Sequence, residues 1–211
     1  MSSQRFPGKV LAPFSGRPLI DWVVDAVQEA VQASVPVIVL TSTDVSDDPL
    51  AAYQVSRARP FCRGPLDDVL ERFRLGVLQW PCDWVLRVNA DSPLLSPEVV
   101  RRVLDPAQRG EGCDLVSTVY PRTFPKGQNA ELIRATLFDA FPAGELTAHD
   151  REHVTAFFYR NPGRYRIRNI ASSNAALAAY DYAVDTLDDL RRLEHIGQHE
   201  VHERMRQAAA V

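Results

Sequence analysis

The sequence predicts an α/β protein, a three-layer α/β/α sandwich built around a mainly parallel sheet. Short apolar runs at residues 36–42, 60–63 and 83–91 are bounded by proline or polar residues, which is typical of strands buried on both faces. Between them lie segments with helical spacing, most clearly residues 19–32, whose apolar side chains recur every three or four positions. Strands that alternate with helices favour parallel pairing, because each helix returns the chain to the same end of the sheet.

Composition and charge restrict the classes of function. The chain has 211 residues, 45% of them apolar and 24% charged, which suits a single domain over residues 1–211. A net charge of −3 provides no basic field, so no nucleic-acid partner is expected. Every apolar run is shorter than the roughly 18–20 residues that span a bilayer, and no signal peptide is recognisable. Cys62, Cys82 and Cys113 do not form a disulfide pattern, so we expect a cytoplasmic protein with no membrane partner.

The first nine residues predict a phosphate-binding loop. Two hydroxyls, an arginine, a turn and a lysine fall within eight positions, at Ser2, Ser3, Arg5, Gly8 and Lys9. Backbone N–H groups in such a loop can surround phosphate oxygens, which fixed cations then neutralise. Arginine offers a planar fork for two oxygens, whereas lysine is a point charge on a flexible stem. The alternative is a surface turn with incidental charges.

Asp91 ends the apolar run 83–91 and precedes a helix that begins near Pro97. Ligands of open α/β sheets bind beyond the carboxyl ends of the strands, where Asp91 is expected to lie. A carboxylate at this position is suited to hold Mg²⁺ against a triphosphate. The alternative is that Asp91 only caps the turn.

Two further segments contain residues that suit ligand contacts. In a loop that runs into a helix, Gly64 lets the backbone approach a flat ligand, and Asp67 or Asp68 caps the helix. A capped helix without a ligand is the alternative. Glu152 and His153 would hold sugar hydroxyls or a carboxylate, although a helical histidine is more often a structural hydrogen-bonding partner.

The order of these segments carries a resemblance to a known family. The blocks are S-S-x-R-x-P-G-K-x-L, R-G-x-x-D-D-V-L-x-R-F, N-A-D-S-P-L-L, F-P-K-G-Q-N-A-E, R-E-H-V-T-x-x-x-Y-x-N-P and V-D-T-x-x-D-L. Together they resemble sugar nucleotidyltransferases of the CMP-sugar synthetase type, which include the CMP-KDO and CMP-sialate synthetases. The most similar members are the cytidylyltransferases of the spore-coat polysaccharide biosynthesis protein F type.

The resemblance implies a fold, a reaction and an assembly. The fold would be a Rossmann-like nucleotidyltransferase sheet with a small dimerisation arm at about residues 120–165, in a homodimer. The reaction would be Mg²⁺-dependent transfer of CMP from CTP to a sugar or sugar acid, with release of pyrophosphate. Its product would serve surface-polysaccharide or glycoconjugate biosynthesis.

The resemblance also implies roles for individual residues. The catalytic group would comprise Arg5, Lys9 and Asp91. Metal ligands would be Asp91 and Asp185, the latter at the end of a short strand at residues 182–185 and before a helix that Thr186 caps. The nucleotide would contact Ser2, Ser3, Arg5, Gly8, Lys9, Arg63, Gly64, Asp68 and Asn89. The acceptor would contact Asn129, Glu131, Glu152 and His153.

Two departures from the family pattern carry expectations of their own. Met1 stands where the family's first strand ends, so we expect that strand and its arginine to be missing from the chain as written. Asn129 replaces an aspartate, so acceptor preference should differ from relatives that keep the acid.

Three alternatives to the implied reaction stay open. A nucleotide-sugar-dependent glycosyltransferase would share the sheet, but the acidic block reads D-S-P and lacks the D-x-D that such enzymes use for metal. In the second alternative, the acceptor is a sugar 1-phosphate or a phosphonate. In a third, the chain is a catalytically inactive nucleotide-binding subunit.

Overall fold

Strands and helices are interspersed along the chain from residue 13 onward. The computed structural model describes residue 3, residues 5–142 and residues 144–209. The strands are β1 Pro13–Phe14, β2 Arg17–Pro18, β3 Val39–Ser42, β4 Phe61–Gly64, β5 Trp84–Val88, β6 Leu115–Ser117, β7 Ala130–Arg134 and β8 Ile167–Asn169. The α-helices are α1 Leu19–Ala30, α2 Asp48–Ser56, α3 Val69–Gln79, α4 Pro97–Gln108, α5 Leu137–Ala140, α6 Ala148–Glu152, α7 Ala156–Arg160, α8 Leu187–Ile196 and α9 Gln198–Ala209.

The largest sheet has four strands in the order β5-β7-β6-β8. β6 and β8 are parallel, whereas β7 runs antiparallel to both of its neighbours. β3 and β4 form a separate parallel pair, which the crossover helix α2 connects. The predicted α/β class is confirmed. Within the four-stranded sheet β7 is the strand that runs opposite to the others, and the short pair of β1 and β2 is also antiparallel.

β7 lies in a region that the sequence predicts as an arm. Ala130, Glu131, Leu132 and Ile133 are all buried between β5 and β6. Alanine, glutamate, leucine and arginine favour helices when considered alone, so local preference conceals this strand. Pairing on both edges and burial on both faces determine its conformation instead.

Helices cover both faces of the four-stranded sheet. Ala130 and Leu132 of β7 pack in a core cluster with residues of α1, α4, α8 and α9. Ile133, which points to the opposite face, packs in a second cluster with residues of α3, α5 and α7. This alternation is the period of two that a strand imposes on its side chains, and it produces the predicted three layers.

The segment before Asp185 differs from its prediction. Residues 182–185 do not form a strand; in the described chain the pairing here is a single parallel bridge between Asp181 and Lys126. The N–H of Tyr182 donates to the Lys126 carbonyl, and the N–H of Val184 donates to the Asp91 carbonyl. The backbone is held by loop residues rather than by a neighbouring strand.

In the described part of the chain, no helix is long and apolar enough to cross a membrane.

Gly127 permits a close backbone approach beside this bridge, with a φ of +88°. A Cβ atom here would lie 2.5 Å from the Tyr182 carbonyl carbon.

We expect Gly127→Ala to lower the free energy of unfolding by about 3 kcal/mol, because a left-handed conformation and a backbone clash add together. Gly110→Ala is the control: its φ is +69° with no atom within 4 Å of the added Cβ, so about 1 kcal/mol is expected. Urea denaturation measures both, and equal losses would contradict the close-approach argument.

Candidate active site

Lys9 connects two carboxylates that lie far apart in the sequence. Its Nζ atom is 2.9 Å from Oδ2 of Asp91 and 3.1 Å from Oδ1 of Asp185, and it donates to the Val184 carbonyl at 2.8 Å. The Lys9 side chain is 13% exposed, and those of Asp91 and Asp185 are 25% and 17% exposed. Partial burial strengthens these charge interactions relative to an exposed pair. The three residues predicted to hold phosphate and metal therefore lie in direct contact.

Local structure places each of these side chains. Gly8 has a φ of +73° and precedes a single turn of 3-10 helix at Lys9–Leu11. Asp91 follows β5 in the loop that leads to α4. Asp185 precedes the capping box of α8, in which Thr186 and Asp189 exchange hydrogen bonds, as the sequence predicts. All three side chains are thus fixed by turns or helix starts, where the backbone is well determined.

Asp185 contacts two further cationic side chains. Its Oδ2 atom is 2.7 Å from Lys126 Nζ and 3.0 Å from an Arg5 guanidinium nitrogen. Lys126 also contacts Asp181 at 3.1 Å. Burial raises the pKa of the Asp185 carboxyl, but the hydrogen bonds from Lys126 and Lys9 outweigh burial and hold the pKa well below its usual range. Three cations thus interleave with three carboxylates in this cluster, which we call the Lys9 cluster: Arg5, Lys9, Lys126, Asp91, Asp181 and Asp185.

The pair Asp91 and Asp185 fits one type of metal site. Within the part of the chain that the structure describes, no group of three or more histidine, cysteine or acidic side chains is arranged to hold a metal. Two carboxylates converge on one cation, the Lys9 ammonium. Mg²⁺ is often held by one or two carboxylates together with substrate phosphates. The donor set therefore suits Mg²⁺ that arrives with a phosphate ligand.

The residues expected around the nucleotide base have structural partners of their own. Arg63 donates to the carbonyls of Ser42 and Asp44. Asp68 caps α3 through the N–H of Glu71. Among the described residues, no recorded hydrogen bond or ion pair joins either side chain to the Lys9 cluster.

Gly64 and the two serines complete the nucleotide set. A Cβ atom on Gly64 would lie 2.7 Å from the side chain of Arg72, so packing against α3 already requires a glycine here. The Ser3 hydroxyl accepts from the N–H of Phe6. Ser2 lies outside the described residues. A contact between any of these residues and a nucleotide stays a prediction.

The acceptor residues line a separate cavity of about 250 Å³. Asn129, Glu131 and His153 contribute to its wall, as does Asn89, which was predicted to contact the nucleotide. Asn89 is two residues from Asp91 in sequence, so the cavity wall continues into the loop of the Lys9 cluster. Glu152 is exposed at the end of α6 and is absent from the described lining.

Glu131 is the central charge of this cavity. It is 2% exposed and lies opposite Arg87 on β5 and Ser117 on β6. One carboxylate oxygen accepts from Arg87 and the other from the Tyr159 hydroxyl of α7. Tyr159 also shares a 2.7 Å hydrogen bond with Ser117. Burial and the neighbouring Glu131 carboxylate raise the pKa of Tyr159, so this hydroxyl stays protonated.

Sequence reasoning did not assign Lys126, Arg87 or Tyr159. The sequence signal for Lys126 is that lysine is rare in this chain, which has two lysines among 24 lysine and arginine residues. In the structure both lysines contact Asp185. The signal for Arg87 is a single charge within an otherwise apolar strand, Trp84–Val88. The signal for Tyr159 is its fixed position in the block R-E-H-V-T-x-x-x-Y-x-N-P, although a tyrosine in an apolar helix is by itself ordinary in a core.

Comparisons with known proteins agree with this architecture. A family model described as cytidylyltransferase matches residues 1–208. The spore coat polysaccharide biosynthesis protein SpsF of Bacillus subtilis is 27% identical over 203 residues, which cover 94% of this chain and 83% of that protein. The match extends over nearly the full length of the chain.

Solved structures share the fold at low sequence identity. A cytidylyltransferase from Leptospira borgpetersenii superposes with a TM-score of 0.86 at 19% identity, covering 98% of this chain and 90% of that one. A CMP:2-keto-3-deoxy-manno-octonic acid synthetase in complex with CTP gives a TM-score of 0.64 at 16% identity, covering 92% and 93%. With its family match over residues 1–208, the chain belongs to the cytidylyltransferase family and is a nucleotidyltransferase.

Proposed function

We propose that this enzyme transfers CMP from CTP to a hydroxyl of a sugar or sugar acid. The acceptor oxygen forms a bond to the α-phosphorus while the bond to the bridging oxygen breaks, which releases pyrophosphate and the hydroxyl proton. The observation that carries the proposal is the Lys9 cluster beside a cavity with polar walls. The relative from Bacillus subtilis is named for spore coat polysaccharide biosynthesis. We therefore place the product in surface-polysaccharide or glycoconjugate biosynthesis.

The cations of the Lys9 cluster are suited to a triphosphate. Arg5, Lys9 and Lys126 contact carboxylates from which they would exchange to phosphate oxygens. Charge-assisted hydrogen bonds to phosphate are strong, and lysine is a common phosphate ligand. Arg5 is 66% exposed, so its planar fork would close over the bound phosphates. Such fixed cations stabilise charge that develops on the leaving pyrophosphate.

Asp91 and Asp185 would hold Mg²⁺ once the lysines contact phosphate. The pairing of two carboxylates with substrate phosphates is the coordination that Mg²⁺ prefers. When bound, Mg²⁺ lowers the pKa of a coordinated oxygen nucleophile and neutralises charge on the phosphoryl group. The carboxylates also keep the lysines oriented before the nucleotide arrives.

The acceptor would bind in the cavity with Asn129, Glu131 and His153 in its wall. Asn89 is part of this wall and precedes Asp91 by two residues, so the bound acceptor would lie next to the loop that carries Asp91. Arg63, Gly64 and Asp68 remain our prediction for the base side. Homodimer formation remains a prediction that rests on the resemblance, and a cytoplasmic location remains a prediction that rests on the cysteine pattern.

Asp91→Ala tests the proposed role of this carboxylate. We expect pyrophosphate release to fall by about 100- to 1,000-fold, the range seen when one electrostatic contact to a transition state is removed. The matched control is Asp188→Ala, which removes a carboxylate that is 93% exposed and close in sequence to Asp185. Coupled pyrophosphate detection measures both variants, with circular dichroism to check folding. A folded Asp91→Ala protein with full turnover would rule out this role.

The scarcity of lysine permits a chemical test of nucleotide binding. Pyridoxal 5′-phosphate followed by borohydride modifies amines, and Lys9 and Lys126 are the two lysines of the chain. CTP with Mg²⁺ at 100 times its dissociation constant should slow this modification about 100-fold, because about 1% of the sites stay free. Peptide mass spectrometry measures the rate at each lysine.

Two controls accompany the labelling. ATP at the same concentration tests preference for the base, and protein unfolded in urea should gain no protection from CTP. Equal labelling of the folded protein with and without CTP would contradict triphosphate binding at the Lys9 cluster.

Lys126→Met tests the electrostatic coupling to Asp185. Loss of this ammonium should raise the pKa of Asp185 towards its usual range. The stabilising contribution of Asp185 is present above the pKa of an unfolded aspartate, about 4, and is lost as the pH falls through the lower folded-state pKa. In the variant the contribution should be smaller, and its loss should be complete at a higher pH.

Carboxyl ¹³C titration measures the change. Arg166→Met is the control, because hydrogen bonds from Arg166 lower the pKa of Asp114 instead. An Asp185 titration that is the same in Lys126→Met and in the unmodified protein would disprove the coupling.

A further inference from the structure

The cavity that contains Glu131 carries compensated charges. Its charged lining residues are Arg87 and Glu131, which form an ion pair across adjacent strands. The other polar lining residues are uncharged or histidine: Asn89, Asn129, His153, Thr155 and Tyr159. In the described lining, no lysine or second arginine accompanies the pair.

The Glu131 carboxylate is held in place on both sides. Arg87 and Tyr159 each donate to a different oxygen, and Ser117 positions the Tyr159 hydroxyl. The Glu131 side chain is 2% exposed and the Arg87 side chain 18%. Separating a buried ion pair leaves an uncompensated charge, which is strongly unfavourable. A bound ligand therefore meets the intact pair rather than a free guanidinium.

An anionic ligand would gain little from such a pair. Its attraction to Arg87 would be opposed by repulsion from Glu131, while it would still lose its own hydration. A hydroxyl both donates and accepts, so it complements adjacent acceptor and donor groups without a charge penalty. Arg122, which donates to Asn129 at 2.6 Å, is exposed at the outer side, where solvent ions screen its charge.

From this compensation we infer the acceptor class. We propose that the cavity binds an uncharged, polyhydroxylated sugar and discriminates against sugar acids. The inference rests on the proposed function, since it treats this cavity as the acceptor site. It narrows that function, which by itself allows both classes.

Matched pairs of sugars test this inference on the unmodified protein. Glucose and glucuronate, and galactose and galacturonate, differ in a hydroxymethyl group against a carboxylate. Titrations at pH 8 would follow the backbone amides of Thr155 and Ala156, which line the cavity, by ¹H–¹⁵N NMR. We expect the neutral sugar of each pair to bind at least about tenfold more tightly than the acid. Equal or tighter binding of the acids, or no shift with either neutral sugar, overturns the inference.

A charge-neutralising variant provides a second test. Glu131→Gln leaves Arg87 without its anion, so the preference should move about tenfold or more towards the acid. Glu145→Gln is the control, because this carboxylate is 52% exposed and pairs with Arg164 on the surface. A folded Glu131→Gln protein with an unchanged preference contradicts the inference. If this variant does not fold, the comparison with the unmodified protein decides alone.

The same samples separate this inference from the proposed function. CTP binding and pyrophosphate release are measured beside the titrations. If pyrophosphate is released only when a sugar acid is supplied, the proposed preference for neutral sugars is wrong, and the proposed transfer of CMP stands. A protein that prefers neutral sugars but binds no CTP retains the specificity and refutes the transfer.

Discussion

The position of the Lys9 ammonium determines the arrangement of the candidate site. It joins Asp91 and Asp185, which are 82 and 176 residues away along the chain. Without this cation, two partly buried carboxylates would face each other and repel. With it, the loop after β5 and the start of α8 are drawn to the same place. The Val184 carbonyl, which also accepts from Lys9, ties the backbone to this charge centre.

A second ion pair uses similar chemistry with a different result. Arg87 and Glu131 lie on paired strands, and Glu131 is 2% exposed. Asp91, by contrast, is 25% exposed and Lys126 45%. The exposed cluster is free to exchange its partners for those of a ligand, whereas the buried pair is fixed by the sheet. The Lys9 cluster is therefore suited to change its partners, whereas the Arg87–Glu131 pair presents a constant surface.

Local patterns predicted the residues that depend on local structure. The helix expected at 19–32 is Leu19–Ala30, and the strand expected at 83–91 is Trp84–Val88. Loops at the ends of such elements carry Lys9 and Asp91, so their approximate placement followed from the order of strands and helices. Turn chemistry likewise identified Thr186 as a helix cap.

Local patterns did not predict β7 or the contact of Lys126, because both depend on partners that are distant in the sequence. β7 looks helical because its composition favours a helix, and its strand conformation comes from two neighbouring strands. Lys126 contacts Asp185 across 59 residues, through a bridge that no local pattern encodes. The sequence of residues 182–185 predicts a strand, because extended apolar segments occur in loops as well as in strands.

Arg87, Glu131 and Ser117 form a row across three adjacent strands, and this affects how specificity can change during evolution. In many enzymes substrate preference resides in loops that vary without disturbing the scaffold. Here the polar wall of the cavity is part of the sheet, and the side chains on either side of Glu131 in β7 are fully buried. A substitution at one member of the row leaves its partner unmatched inside the core. With the proposed acceptor role of the cavity, a new preference would therefore require paired changes on neighbouring strands, and gradual drift between acceptor classes would be difficult.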